Sequence, residues 1–418
     1  MSNPKSIDLS NFSETKPDGA HYWKAIQNSI NNLLSDEHEK GFQNLPHPKR
    51  LEAEKLLVPS YLSPEHIGGS KRGDLSTLLN MSYMFFKGSF FDVDAYTTIT
   101  LNRFPYINDM LNSHGVDPHN VLVANYIEHY HHFHNDPIVE YTDGLIGLLN
   151  QTSLSGIDKI PVRLLRSPYK SMYLDFRNAP QLPTLDDQKI CGAYVYETSA
   201  HPKDLGDAYM EYMRTEPSLK RLSDSGNLDD SEELVCLSIL LIAYPEGIKT
   251  IDDGCYRTTF SFMFNANADD DISIGDIVTG HTGGMTSEED FNFTEMNEPL
   301  GLVFNSLLYM NSTENERKVF KEGTELAIKT KQIKNPKKLR KMERQILETY
   351  DFVRIGKTYN LEGVYSRTSG GWKVSPHIRR GHFRKQRYGK DRSLTRVQWI
   401  MPTAIGGDGT TPSRVKVQ

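Results

Sequence analysis

Hydrophobic residues recur at helical spacing through most of the first third of the chain. This pattern predicts helices over three segments: residues 20–34, 74–91 and 95–113. Asp117 followed by Pro118 predicts the N-cap and the first position of another helix, which runs into a histidine-rich end. The sequence therefore predicts a mainly helical N-terminal region over residues 1–155.

The pattern changes near Gly156. Four segments rich in β-branched and aromatic residues follow, bounded by Pro, Gly, Asn and Asp: residues 171–176, 190–197, 234–244 and 258–265. Because few helical segments separate them, they predict an antiparallel sheet. Two helices are expected to pack with this sheet, over residues 204–214 and 288–310. The second region is therefore residues 156–330, and the predicted fold class is α+β.

The charge of the chain is distributed unevenly. The formal net charge is −6, but residues 331–418 hold 21 Lys and Arg against 6 Asp and Glu, which gives +15. Residues 1–330 hold 27 against 48, which gives −21. Such asymmetry predicts a basic C-terminal module over residues 331–418 that faces nucleic acid or another acidic surface. The acidic body of the same chain remains an alternative partner for it.

The cations of this module fall in two stretches. Residues 318–350 predict a basic helix or helix pair broken at Asn335 and Pro336, and residues 376–390 predict a compact, turn-rich segment. Six cations, two imidazoles and two aromatic rings lie between His377 and Lys390. Lys and Arg neutralise phosphates, and aromatic rings stack on unpaired bases. The candidate nucleic-acid contacts are His377, Arg379, Arg380, His382, Phe383, Arg384, Lys385, Arg387, Tyr388, Lys390 and Trp399.

Trp399 belongs to a predicted short strand over residues 397–402. Its ring either stacks on a base or fixes the strand to the core. His377 and His382 have a second interpretation, because two imidazoles and a cation suffice for ribonuclease chemistry without a metal. In that case Arg379 or Arg380 would hold the scissile phosphate. The alternative for both histidines is hydrogen bonding that shapes the module.

Four histidines cluster near the end of the helix that starts at Pro118: His129, His131, His132 and His134. Glu128 and Asp136 flank them, but the segment lacks an HExxH arrangement. Imidazoles at the negative end of a helix dipole explain the cluster better than a metal does. Residues 269–271 and 280–284 are likewise interpreted as a solvated acidic turn and a plain glycine-rich turn. No metal and no cofactor are predicted.

The three cysteines, Cys191, Cys236 and Cys255, lie far apart in the sequence. They predict free thiols in a reducing compartment. No apolar stretch reaches the roughly 18–20 residues that cross a bilayer, and the N-terminal residues do not resemble a signal peptide. The expected location is the cytoplasm, without membrane contact.

The C-terminal module also resembles a known family. Pro376-His377-Ile378-Arg379-Arg380-Gly381-His382-Phe383, a following Tyr-Gly, and Val397-Gln398-Trp399 resemble the C-terminal signature of a type V-A anti-CRISPR family that represses biogenesis of the effector nuclease. Upstream, residues 352–357 resemble the short strand that precedes this signature. The chain differs in its extra helical N-terminal portion and in Phe383, where family members often have Trp.

The resemblance implies a non-enzymatic binding protein of a phage or plasmid. Such a protein would recognise a host protein or nascent polypeptide, and the basic module would contact RNA or the ribosome. Two other functions stay open on the sequence alone. One is a metal-independent ribonuclease that uses His377 and His382, and the other is a virion-associated protein whose basic module contacts packaged nucleic acid.

Overall fold

A computed structural model describes residues 42–54, 92–103, 105–113, 115, 117–153, 160–179, 184–185, 188–205, 233–245, 255–266, 274, 293–312, 317–357, 359–360, 377–405 and 416–417. The helices predicted over residues 20–34 and 74–91 lie outside these residues, as do the two turns predicted at residues 269–271 and 280–284. Only the start of the helix predicted over residues 204–214 is described.

The helices are α1 (His47–Ala53), α2 (Asp92–Arg103), α3 (Pro105–Ser113), α4 (Pro118–His134), α5 (Leu145–Asn150), α6 (Pro202–Leu205), α7 (Phe293–Ser312), α8 (Glu322–Lys331) and α9 (Pro336–Glu348). The strands are β1 (Ile138–Tyr141), β2 (Thr152–Ser153), β3 (Ser171–Asp175), β4 (Thr184–Leu185), β5 (Gln188–Ala200), β6 (Leu234–Tyr244), β7 (Tyr256–Asn265), β8 (Arg317–Phe320), β9 (Phe352–Ile355), β10 (Tyr359–Asn360), β11 (His377–Arg379), β12 (Gly381–Tyr388), β13 (Leu394–Ile400), β14 (Thr403–Ile405) and β15 (Lys416–Val417).

The main sheet has the strand order β7-β6-β5-β3-β1-β9-β8, and β4 pairs with β5 beside this path. Its first four strands are the four predicted segments, and they pair antiparallel as predicted. β1 pairs parallel with both β3 and β9, so the sheet as a whole is mixed. The α+β class is confirmed. Strands from all three predicted regions meet in this sheet, and the domain boundaries stay a prediction.

Two cores cover the two faces of the sheet, and β6 shows why. Its sequence is almost continuously apolar, as expected for a strand buried on both sides. Successive side chains of a strand point to opposite faces. Val235, Leu237 and Ile239 accordingly join the core that contains α5 and α7. Leu240 and Ile242 join the core that contains α4.

The core on the α4 side contains a buried polar cluster. His47 of α1 is fully buried, and its Nδ1 lies 2.8 Å from the hydroxyl of Tyr194 on β5. Arg257 of β7 donates through Nε to the buried carboxylate of Glu128 at 2.8 Å. Burial lowers the pKa of His47 well below its ordinary value, so the imidazole is neutral. These contacts fix α1 and α4 on the same face of the sheet.

Helix α4 has the predicted N-terminus. The Asp117 side chain accepts hydrogen bonds from the backbone N–H groups of His119 and Asn120. At the other end Asn135 adopts a left-handed conformation with φ of 52°, which lets the chain turn directly into β1. His129 and His131 are buried in the helix packing. Among the described residues, no group of three metal-ligating side chains comes together.

Two predictions about the C-terminal third are wrong. Residues 318–320 belong to strand β8, not to a basic helix, because they pair antiparallel with β9. The segment predicted as turn-rich contains the continuous eight-residue strand β12. The predicted break at Asn335 and Pro336 is confirmed: the Asn335 side chain accepts from the N–H groups of Lys337 and Lys338 and starts α9.

The three cysteines carry free thiols, as predicted. Burial raises the pKa of each thiol above its ordinary value. They are therefore protonated and poorly nucleophilic at neutral pH. Within the described part of the chain, no helix has the length and apolar character needed to cross a membrane.

The pH dependence of stability is expected to involve Asp136, directly after α4. Burial raises the pKa of its carboxyl group to about 7, although the Lys170 ammonium favours the charged form. Because this value lies above that of an unfolded chain, about 4, protonation favours the folded state. The stability it supplies is complete below about pH 4 and is lost as the pH rises through about 7. Asp136→Asn should remove this dependence.

We expect Asp136→Asn to be more stable than wild type at about pH 8, by on the order of 2 kcal/mol, and the difference in stability to close toward about pH 4. Urea unfolding of both proteins at the two pH values measures this difference in the free energy of unfolding. Parallel pH profiles of the two proteins would contradict the assignment.

Candidate nucleic-acid interface

The predicted basic segment forms one long two-stranded ribbon. β11 pairs antiparallel with β14, from His377 opposite Ile405 to Arg379 opposite Thr403. β12 pairs antiparallel with β13 in the same register, from His382 opposite Ile400 to Tyr388 opposite Leu394. The ribbon is therefore continuous except for a short break at residues 380–381 and 401–402. A short 3-10 turn, Lys390–Arg392, closes its tip.

The tip of the ribbon requires two unusual backbone conformations. Gly389 has a φ of 82° and Asp391 a φ of 55°. Both lie in the left-handed region, which glycine adopts freely and aspartate tolerates better than most residues. This turn brings the cations of β12 alongside those of β13.

The root of the ribbon is packed into the core beside α7. Phe383 is 5% exposed and lies parallel to Trp399, with ring centroids 6.5 Å apart. The Trp399 indole meets Tyr309 of α7 edge-on at 5.1 Å, and its N–H donates to Thr152 Oγ1 at 3.1 Å. β2 also pairs parallel with the first residues of β12. These contacts hold the base of the ribbon rigidly on the body.

Residue 381, at the root of the ribbon, is a glycine for a steric reason. A Cβ atom there would lie 2.7 Å from Pro402 Cδ and 2.9 Å from the carbonyl oxygen of Ile400. Both separations are shorter than van der Waals contact, so the opposite strand closes around a residue without a side chain. The glycine of the signature is thus explained by close packing of the two strands.

Beyond the root the ribbon is exposed. Cross-strand alternation places Arg384, Gln386 and Tyr388 of β12 on one face, with Gln398 and Arg396 opposite them on β13. The Arg396 guanidinium carbon lies over the Tyr388 ring, 5.3 Å from its centroid, and Arg396 donates to Gln386 Oε1 at 3.3 Å. Arg384 donates to Gln398 Oε1 at 3.5 Å. This face therefore presents two guanidinium groups and one aromatic ring.

Among the described residues, no carboxylate forms an ion pair with the exposed guanidinium groups on the two faces of the ribbon. Arg384, Arg387 and Arg396 are exposed, and none of them forms an ion pair with another described residue. An exposed, uncompensated positive patch attracts phosphates over a distance of about one Debye length, roughly 8 Å at physiological salt. The arrangement can bind a polyanion by charge and stack on an unpaired base through Tyr388.

The predicted contact residues separate into groups. Arg380, Arg384, Lys385, Arg387, Tyr388 and Lys390 are exposed, and His382 is half-buried at the root. Phe383 is a core residue, so the stacking predicted for it falls to Tyr388 alone. Of the two roles considered for Trp399, fixing the strand to the core is the one observed. For His377 and Arg379 the structure describes the backbone only.

The structure adds residues that sequence reasoning missed, chiefly Arg396, Gln386 and Gln398. The signal for them is alternation along residues 384–388 and 394–398, which is visible only once the pairing of the two strands is known. The histidine pair gains no support. The side chain of His377 lies outside what the structure describes, so the pairing of His377 with His382 stays a prediction.

The fold and the ribbon together define an α+β protein with a rigidly mounted basic projection. The family model described as AcrVA2-like, the anti-CRISPR type V subtype A2 family, matches residues 139–407. The chain therefore belongs to this family. The matched range contains β1, the main sheet and the whole ribbon, whereas helices α1 to α4 precede it.

Two further comparisons add little. A solved structure, the crystal structure of AcrVA2, is similar with a TM-score of 0.37 and 13% identity, over 79% of this chain and 95% of that chain. At this level it carries no argument about function. No curated protein matches the sequence.

The packing of the ribbon root leads to a stability prediction. Phe383→Ala should lower the free energy of unfolding by about 3–5 kcal/mol, because it leaves a cavity beside Trp399 in the core. Tyr388→Ala at the exposed tip should change it by less than about 1 kcal/mol, the worth of an exposed cation–π contact. Urea unfolding of both variants tests this. Equal losses would mean that the root is not part of the core.

Proposed function

We propose that this protein is an anti-defence binding protein of a phage or plasmid, with anti-CRISPR activity in the cytoplasm of the host bacterium. It recognises a host protein or nascent polypeptide through its acidic α+β body and contacts RNA, free or in the ribosome, through the β12–β13 ribbon. Membership of the type V-A2 family supports the first part. The observation that carries the second is the set of exposed guanidinium groups on the ribbon, none of which forms an ion pair with another described residue.

The geometry favours RNA over an intramolecular partner for the ribbon. If the acidic body neutralised the ribbon, carboxylates would lie against Arg384, Arg387 and Arg396, and in the described part none forms an ion pair with them. An exposed Tyr ring with a guanidinium group beside it suits single-stranded nucleic acid, where stacking on a base is worth about 1–3 kcal/mol. The root contacts keep this surface pre-arranged, which lowers the entropy lost on binding.

RNA binding by the ribbon should depend on salt. We expect Arg384→Gln, Arg387→Gln and Arg396→Gln together to weaken binding of a labelled oligouridine and to flatten the salt slope by roughly 0.7 per lost phosphate contact. Fluorescence anisotropy in a series of salt concentrations measures both. The matched control removes the same charge from α8: Lys321→Gln, Lys329→Gln and Lys331→Gln.

Substitutions of Tyr388 distinguish a stacking contribution to RNA binding from a charge contribution. Tyr388→Ala should weaken RNA binding by about 1–3 kcal/mol without changing the salt slope, and Tyr388→Phe should retain affinity. Unchanged binding in the Arg variant, or an equal loss in the α8 control, would contradict an RNA-contacting ribbon. Cleavage of the RNA by wild type under single-turnover conditions would instead support the ribonuclease alternative.

The anti-CRISPR activity has its own test. In bacteria whose type V-A system targets a plasmid, expression of this protein should raise plasmid survival relative to an empty vector. The ribbon triple variant should do so less well at equal protein level, because RNA contact is part of the proposed action. Full interference in the presence of abundant, folded wild-type protein would remove the proposal. Colony counts with immunoblotting supply the readout.

A further inference from the structure

Helix α9 has an exposed basic face that the ribbon does not explain. Lys337, Arg340, Lys341 and Arg344 recur at positions i, i+3, i+4 and i+7, which places them on one side of the helix. All four are exposed. Along the axis they span about 10 Å, at 1.5 Å per residue. The less exposed residues Leu339, Met342 and Ile346 occupy the opposite side.

These cations are largely uncompensated. The ion pair that α9 makes among the described residues joins Arg344 to Glu348 at 3.8 Å, and both side chains are exposed. Lys337, Arg340 and Lys341 make none with any described residue. The basic face is therefore directed to solvent instead of to the acidic body.

The placement of charge on α9 also opposes the helix dipole. Its first turn contains Lys337 and Lys338 and no acidic residue, although the N-terminus of a helix is the positive end. The neighbouring helix α8 has the favourable arrangement, with Glu322 and Glu325 in its first turn and Lys329 and Lys331 in its last. The charges of α8 thus stabilise their helix, whereas the first-turn cations of α9 do not. Their presence is better explained by an anionic ligand.

The basic face of α9 and the ribbon lie on opposite sides of the main sheet. Leu347 of α9 packs against Phe42, Leu45 and Ala53 near α1, and Tyr350 continues this packing into the core on the α4 side. Phe383 at the ribbon root belongs to the other core. One short nucleic-acid segment therefore cannot cover both surfaces along a straight path.

The ligand that suits this face is a phosphodiester backbone. A protein partner would need an apolar centre for its interface. The exposed large apolar side chains of the described residues are Ile99, Val319, Ile328 and Tyr388, and none of them is on α9. A row of exposed cations over about 10 Å can instead neutralise neighbouring phosphates along one nucleic-acid strand.

We propose that the exposed face of α9 is a second, sequence-independent RNA-binding surface, separate from the ribbon. It shares the class of ligand with the proposed function but none of its residues. The two surfaces contact different segments of one RNA, or of a large ribonucleoprotein, from the two sides of the sheet.

The test combines three triple variants in the full chain with labelled oligouridine as the probe. The α9 variant is Lys337→Gln, Arg340→Gln and Lys341→Gln, compared with the ribbon variant, with the α8 control and with the α9 and ribbon changes combined. We expect the α9 changes to flatten the salt slope by roughly 0.7 per lost contact, in addition to the effect of the ribbon changes. Thermal unfolding should show no loss of stability in the α9 variant, because the first-turn Lys opposes the dipole.

The outcomes separate the two surfaces. A salt slope in the α9 variant equal to that of wild type or of the α8 control would overturn the second surface, while a loss in the ribbon variant would still support the proposed function. A loss in the α9 variant with normal binding by the ribbon variant would support the second surface and contradict the ribbon. A lower melting temperature that accounts for the whole binding loss would show that the α9 cations are structural, and would also overturn it.

Discussion

The parallel pairing of β1 with both β3 and β9 is the constraint on which the rest of the structure depends. This four-residue strand joins the antiparallel half of the sheet to strands that come from the basic C-terminal third. Through β9 it fixes the edge strand β8 and the helix pair α8–α9 that connects them. Through the loop and helix that follow it, β1 leads to β2, which pairs with the ribbon root. Both basic surfaces are therefore positioned by one short strand.

The sequence predicted the parts of the fold whose signal is local. The antiparallel strands are rich in β-branched and aromatic residues, so the sequence identifies all four segments, with ends that differ from the observed strands by up to three residues. Asp117 before Pro118, and Asn135 at the far end, determine α4 through hydrogen bonds within one turn. β1 was missed because Ile138–Tyr141 is too short to show alternation and directly follows a helix. Its pairing depends on partners more than 30 residues away, which a periodicity cannot reveal.

At the candidate site, too, the sequence does not reveal the tertiary contacts of the ribbon. Composition alone identifies residues 377–390 as a basic, aromatic segment, but its two glycines, Gly381 and Gly389, suggest turns where a continuous strand exists. The identity of each aromatic residue gave no indication of its role. Phe383 and Tyr388 differ by five positions, so strand alternation puts one against the core and leaves the other in solvent. Which of them is inside depends on Trp399 and Tyr309, whose contacts are purely tertiary.

The cations of the ribbon lie outside the buried root, and this arrangement relates the fold to binding. At the ribbon root, the Trp399 N–H donates a hydrogen bond to Thr152, and apolar rings pack around this pair. The described residues of the root therefore bury no charged group. The cations begin where the ribbon leaves the body, and they need no desolvation until a ligand arrives. Charges that stay hydrated in the free protein cost little stability, and a rigid root prevents them from collapsing onto the acidic body. That separation lets a chain of net negative charge present a positive surface to solvent, because a screened field is felt over about 8 Å and not over the whole molecule.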